Sequence, residues 1–172
     1  MELKELTDKT LQLFKVENTK ELLSAIEKSY NNNDIMQKFC DLVNNDLSVD
    51  WLQKIYQYYE ADRKDKKQDY TPASLADLMA KIALSQSNEV VDMCAGSGAL
   101  TIATWRGNPN VKATCIEFDQ NVIPILVFNL AIRNIRAKVI RADVLTREKF
   151  EEYRIIPGEK FGKVEEYDND NQ

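Results

Sequence analysis

The 172-residue sequence contains no histidine. That removes the side chain that most often serves as a general base near neutral pH, so Ser-His and Cys-His nucleophilic mechanisms are excluded for this chain acting alone. Its three cysteines, Cys40, Cys94 and Cys115, are odd in number and have no paired spacing. They argue against a disulfide framework and, without histidine, against a His-containing zinc site. No run approaches the ~18 to 20 apolar residues of a membrane span, and the opening MELKELTDKT has no apolar signal region. These absences predict a cytoplasmic protein with no metal and no membrane contact. Glycine is also scarce, five in all, and two of the five stand two apart in NEVVDMCAGSGAL, residues 88–100.

The chain is 44% hydrophobic and 30% charged, as in an ordinary globular domain able to bury a core. The formal net charge of −5 is unevenly spread. Residues 1–62 carry 7 basic and 12 acidic groups, residues 63–147 carry 12 and 8, and residues 148–172 carry 4 and 8. A basic centre between acidic flanks fits a nucleic-acid-facing surface, or equally a solvated face.

Apolar residues at three-and-four spacing in LTDKTLQLFK, TKELLSAIEKSY, IMQKFCDLV and VDWLQKIYQYYEA predict four helices, with Thr19, Asp34 and Ser48 as caps. Trp51, Ile55 and Tyr58 or Tyr59 fall on one face of the fourth, which predicts core packing over a nucleic-acid patch. Lys64, Lys66 and Lys67 remain candidates for phosphate contacts. Thr71 and Pro72 open a fifth helix. The period then changes. Residues 89–92, 111–118 and 137–143 read as strands separated by helices of about ten residues, which predicts a right-handed, parallel, doubly wound sheet. RIIPGEKFGKV reads as a hairpin, and EEYDNDNQ as a frayed acidic tail. The expected organisation is a helical region over 1–67 and an α/β domain over 68–172.

Ligands of parallel sheets sit beyond the carboxyl ends of the strands. Asp92, Glu117 and Asp143 each end a successive predicted strand, and Gly96 and Gly98 allow a tight turn and close ligand approach before a helix start. A dinucleotide fingerprint requires a third glycine where Thr101 stands, so the D-x-x-x-G-x-G pattern suits a ligand with an amine and a ribose. S-adenosylmethionine is such a ligand. Asp92 would then lie near its methionine part, Glu117 on the ribose hydroxyls and Asp143 at the adenine amino group. Cys94 reads as a small buried loop residue.

QDYTPASLADLM followed by VVDMCAGSGALTI, CIEFD and IRADVL resembles the adenine-N6 DNA methyltransferases, most closely the modification subunits of type I restriction systems. The resemblance covers residues 51–147 and rests chiefly on Tyr70-Thr71-Pro72 and Asp92 to Gly98. It implies a Rossmann-like S-adenosylmethionine-dependent methyltransferase fold with a partial, parallel sheet and an N-terminal helical region. It also implies a cofactor-binding set of Tyr70, Thr71, Pro72, Asp92, Ala95, Gly96, Ser97, Gly98, Glu117, Phe118 and Asp143, the Y-T-P element lining the methionine end. Met93 replaces the family's usual proline, which affects loop rigidity. The family's catalytic N-P-P-Y, which orients the target nitrogen and stacks on a flipped base, has no counterpart in the sequence. Asn108-Pro109 falls on the wrong side of the sheet, and Ile156-Pro157-Gly158 has neither the polar acceptor nor the aromatic ring. No catalytic residue is assigned. The resemblance therefore implies a truncated methyltransferase that binds S-adenosylmethionine and approaches DNA, with a second subunit supplying the catalytic and target-recognition elements. The alternative is a catalytically silent, methyltransferase-like regulator or binding protein.

Overall fold

A computed structural model of the chain describes residues 2–59 and 71–167, with backbone alone at 57–59. Within these residues seven helices and five strands form a mixed α/β arrangement. Helices α1 (Leu3–Phe14), α2 (Thr19–Glu27), α3 (Asn33–Leu42) and α4 (Trp51–Tyr59) come first, followed by α5 (Ala73–Leu84). The sheet and its crossover helices follow as β1 (Glu89–Asp92), α6 (Ala99–Gly107), β2 (Lys112–Glu117), α7 (Ile123–Ile132), β3 (Arg136–Ala142), β4 (Lys149–Ile156) and β5 (Lys163–Tyr167).

The helical periodicity sets the elements, but not their caps. Asn18 and Asn32, in extended conformation, accept from backbone N–H groups of the following turn in place of Thr19 and Asp34. Asp50, not Ser48, caps α4 by accepting from Gln53 N–H at 2.8 Å. Pro72 stands one residue ahead of α5 with no side-chain cap, so Thr71 lies outside the helix. Pro124 falls in the first turn of α7, where its missing N–H costs nothing. In α4 Ile55 is buried as expected, but Leu52 and Tyr56 share its face and Trp51 is only half-buried, so the buried stripe is turned from the expected one. Lys64, Lys66, Lys67 and the side chains of Tyr58 and Tyr59 lie outside the described residues.

The sheet is mixed, not parallel throughout. Its order is β1-β2-β3-β4-β5, with β1, β2 and β3 parallel and β4 and β5 antiparallel. The reason is connection length. A parallel crossover takes a dozen residues or more, and the six residues between β3 and β4 cannot supply it. The Pro157-Gly158 segment closes the expected hairpin, but Glu165 to Tyr167 belong to β5 instead of a frayed tail.

Nor is the sheet doubly wound. Strands laid down in sequential order with crossovers of one hand put successive helices on the same face. The contacts agree: Thr101 of α6 meets Cys115 of β2 at 3.3 Å, and Ala131 of α7 lies against Gly162 beside Ile155 of β4. Cys115 and Ile155 both point to that face, since Cys115 is level with Val139 and Tyr153, and Ile155 with Ala137 and Ala113. Helices α1 to α4 stack over α7, which is buried along its whole length. The phenyl ring of Phe128 is its centre, edge-to-face with Phe14 at 5.8 Å and Phe39 at 5.7 Å, so one core joins the helices to the sheet.

The opposite face carries Val91, Thr114, Ile116, Lys138, Ile140, Glu152 and Arg154, and no described helix covers it. Toward β4 it is made compatible with water by ions. Glu152 is only 3% exposed beneath Lys138, Lys149 and Arg154. Burial alone would raise its carboxyl, but the three cations hold it down at about 2. Toward β1 the same face carries the Lys112–Glu89 pair at 2.8 Å and then Val91, which is 67% exposed. Truncating Phe128→Ala should destabilise the chain by roughly 3 to 5 kcal/mol, as core Phe→Ala changes do. Calorimetry should still show one transition for α1–α4 and the sheet together. Two resolved transitions would show that the shared core does not couple them.

Candidate functional site

Beyond the carboxyl end of β1 the chain turns through residues 93–98 into α6. Gly96 and Gly98 have φ of +53° and +98°, values that disfavour a side chain. The turn is closed by Gly98 N–H donating to Ala95 O at 2.8 Å, and Ala95 N–H continues the sheet by donating to Ile116 O at 3.0 Å. The two glycines serve different ends. A Cβ on Gly98 would lie 3.0 Å from Leu126 Cδ1, so this glycine permits the loop to pack on α7. A Cβ on Gly96 would meet nothing within 4 Å, so there it is open space beside the backbone that is preserved.

Asp92 and Glu117 stand at neighbouring strand ends beside this space. Asp92 Oδ1 accepts weakly from Cys94 N–H at 3.4 Å, while Oδ2 is buried without a hydrogen-bond partner. Burial raises its carboxyl above the ordinary aspartate value; the Cys94 N–H works against that rise and the charge of Glu117 adds to it. Glu117 reaches across to the bend. Its Oε2 accepts from Gly96 N–H at 2.7 Å, and Oε1 accepts from Phe118 and Asp119 N–H at 2.9 and 2.8 Å. A carboxylate has about four acceptor positions, so a partner bringing two hydroxyls must displace one of these donors.

Phe118 is 62% exposed and meets Phe150 edge-on at 6.3 Å, while Arg141 stacks over Phe150 at 4.5 Å. Asp143 follows β3 and accepts from Leu145 and Thr146 N–H through Oδ1. Thr71 and Pro72 lie with Asp50, Gln53 and Ala99 around a hollow of about 420 Å³ against the start of α6. A larger hollow of about 700 Å³ lies at the far edge of the sheet, between Tyr30, Asn31 and Val164. It has no glycine bend and lies away from the carboxyl ends of the parallel strands, with Glu27 and Glu166 as its acids, so size alone does not point to the glycine bend. Tyr153 is buried there against Tyr30.

The fold thus brings together Asp92, Gly96, Gly98, Glu117, Phe118 and Asp143 at the carboxyl ends of three parallel strands, with Ala95 and Ser97 buried inside the bend. Tyr70 lies outside the described residues. Cys94 is exposed, against expectation, because the bend turns it out of the core that takes Cys40 and Cys115. One neighbour escaped sequence reasoning: Asn129, whose amide donates to Ser97 O at 3.0 Å. Its signal was a lone polar residue in the otherwise apolar stretch IPILVFNLAI.

A family model described as N-6 DNA methylase matches residues 43–164. The chain belongs to the N-6 DNA methylase family. The match starts before α4, so the family's region takes in the end of the helical part as well as the glycine bend and most of the sheet. No curated protein and no solved structure matches the chain. Among the described residues no helix is long and apolar enough to cross a membrane, and no group of histidine, cysteine, aspartate or glutamate could hold a metal ion.

The two glycines can be tested without a ligand. Gly96→Ala and Gly98→Ala should each lose about 1 to 2 kcal/mol from the left-handed conformation. Gly98→Ala should lose more, since its methyl also presses on Leu126. Equal losses in denaturant unfolding would contradict the different packing of the two positions.

Proposed function

We propose that the chain is the cofactor-binding part of an adenine-N6 DNA methyltransferase of a restriction-modification system, of the type I modification-subunit kind. It would work in the cytoplasm on a Rossmann-like framework. The observation that carries the cofactor assignment is the pairing of Asp92 and Glu117 around the open space at Gly96. Two neighbouring acids, one with a buried and unpartnered oxygen, favour a cationic ligand, and S-adenosylmethionine brings an ammonium and a sulfonium. The methyl donor supplies the transferable group; the chain's own residues bind and orient it. Asp92, Ala95, Gly96, Ser97 and Gly98 would border the methionine part with Tyr70, Thr71 and Pro72. Glu117 would exchange its Gly96 N–H for ribose hydroxyls. The exposed ring of Phe118 offers an apolar surface to the adenine, beside Asp143.

Catalysis on DNA requires groups this sequence does not contain, since N-P-P-Y is absent. A second subunit would bring them, and one observation favours it. Among the described residues strand β1 has a neighbour on one side only, and the parallel strands have helices on one face only. Parallel sheets are ordinarily covered on both faces, and an unpaired edge is a template for another strand. Leu75, Leu78, Met79 and Ile82 of α5 are also exposed and apolar. A partner strand along β1 would place its own carboxyl end beside Asp92.

Calorimetric titration with S-adenosylmethionine and S-adenosylhomocysteine tests the cofactor assignment. Micromolar binding is expected, lost in Asp92→Ala and Glu117→Ala. Affinity should fall as Asp92 is protonated on acidification, beginning at a higher pH than for an ordinary aspartate because its carboxyl is raised. A folded chain that binds neither ligand would refute the assignment. For the partner, methyl transfer should appear on adding a co-encoded subunit and vanish in Val91→Pro, with cofactor affinity kept. Cofactor binding without transfer in any such mixture would favour the silent regulator.

A further inference from the structure

Helix α7 carries one polar side chain in its buried middle, Asn129, which is 1% exposed. The orientation of its amide follows from its neighbours. Arg133 can only donate, and its Nη1 lies 3.1 Å from one amide atom of Asn129 and 2.8 Å from the Asn129 carbonyl, so that amide atom is the oxygen. The Nδ2 group must then donate on the other side, and both of its hydrogens are used. One goes to Asp50 Oδ1 at 2.9 Å and the other to Ser97 O at 3.0 Å. Arg133 is itself fixed, donating from Nε to Leu47 O at 2.8 Å and from Nη2 to Val49 O at 2.9 Å.

The chain of donors therefore runs from Arg133 through Asn129 to two acceptors. One is the acid that caps α4, and the other is the peptide carbonyl between the two left-handed glycines. Asp50, Ser97, Asn129 and Arg133 are all at most 7% exposed. The Ser97 hydroxyl faces the same Asp50 carboxylate and eases the cost of its charge without reaching hydrogen-bond geometry; Ser97 Oγ and Asp50 Oδ2 are left buried without partners. A buried polar network in the middle of an apolar helix has to be explained, because an apolar residue at position 129 would suit the rest of α7.

We propose that Asn129, held by Arg133 and Asp50, is a positioning residue that sets the conformation of the glycine bend for S-adenosylmethionine. The inference rests on the cofactor reading above. Fixing Ser97 O fixes the peptide plane entering Gly98, and so the direction of the N–H groups that begin α6. It also ties α4 and the α3–α4 connection, which share a hollow with Thr71 and Pro72, to the glycine bend. A bend freed of this link would sample other conformations and bind more weakly.

The test pairs ligand titration with amide hydrogen exchange, on the full chain. In Asn129→Ala, S-adenosylmethionine should bind about tenfold more weakly, the scale of one or two lost buried hydrogen bonds. Exchange should rise at residues 95–98 while β3 is unchanged. Asp50→Ala should act in the same direction, and Asp50→Asn, which keeps an acceptor oxygen, should restore most of the affinity. If Asn129→Ala does not fold, Asp50→Ala and Asp50→Asn carry the comparison. Binding within twofold of the parent in Asn129→Ala or Asp50→Ala, or a rise in exchange spread evenly over the sheet, would overturn the proposal. If the parent chain binds no S-adenosylmethionine, the cofactor reading fails by itself. The exchange pattern then decides alone: a rise confined to the bend upholds the positioning role, and no rise there overturns it.

Discussion

Burial of α7 on every side is the constraint on which the rest of the structure depends. A ten-residue helix reading IPILVFNLAI has no polar stripe to give to water, so it is stable only with cover all round. The sheet covers one side through β3, β4 and β5, and α1 to α4 cover the other. The N-terminal helices are therefore the outer wall of the α/β core, and Phe128 between Phe14 and Phe39 marks the join. Because that wall is needed, Asp50 at the start of α4 comes close enough to α7 to share the Asn129 amide with the glycine bend.

Sequential strand order has the complementary effect. With α6 and α7 on one face, the described helices lie on that side, and no described element covers the end of the sheet around β1. Where the bare face extends to β4 it is kept in water by the cations around Glu152, and at the start of β1 by the Lys112–Glu89 pair. The strand that begins the glycine bend is thus also the strand with an unpaired edge. Cofactor chemistry and partner docking would meet at the two ends of four residues, Glu89 to Asp92.

Much of this was legible in the sequence, for local reasons. The three-and-four spacing found the helices, the period change at Glu89 found the sheet, and the acids Asp92, Glu117 and Asp143 stand at the carboxyl ends of β1 to β3, because alternation of strand and helix fixes where those ends point. What was not legible depended on geometry between elements. The antiparallel β4 follows from a short connection that looks like any loop, and the one-sided sheet follows from strand order, which periodicity does not encode. The caps moved by a residue or two because neighbouring asparagines compete equally well for free N–H groups. Asn129 was passed over because its meaning lies in Asp50, 79 positions away.

The reading proposed above makes the acids and glycines at the ends of β1 to β3 one ligand site in this member of the N-6 DNA methylase family. A crystal structure of the chain with S-adenosylhomocysteine tests it most directly. The ribose hydroxyls are expected on Glu117 in place of the Gly96 N–H, the adenine against Phe118 beside Asp143, and the amino-acid end along the bend. Ligand seated instead in the hollow by Tyr30 and Val164, or at the bend with Glu117 still holding Gly96 and making no ribose contact, would contradict it.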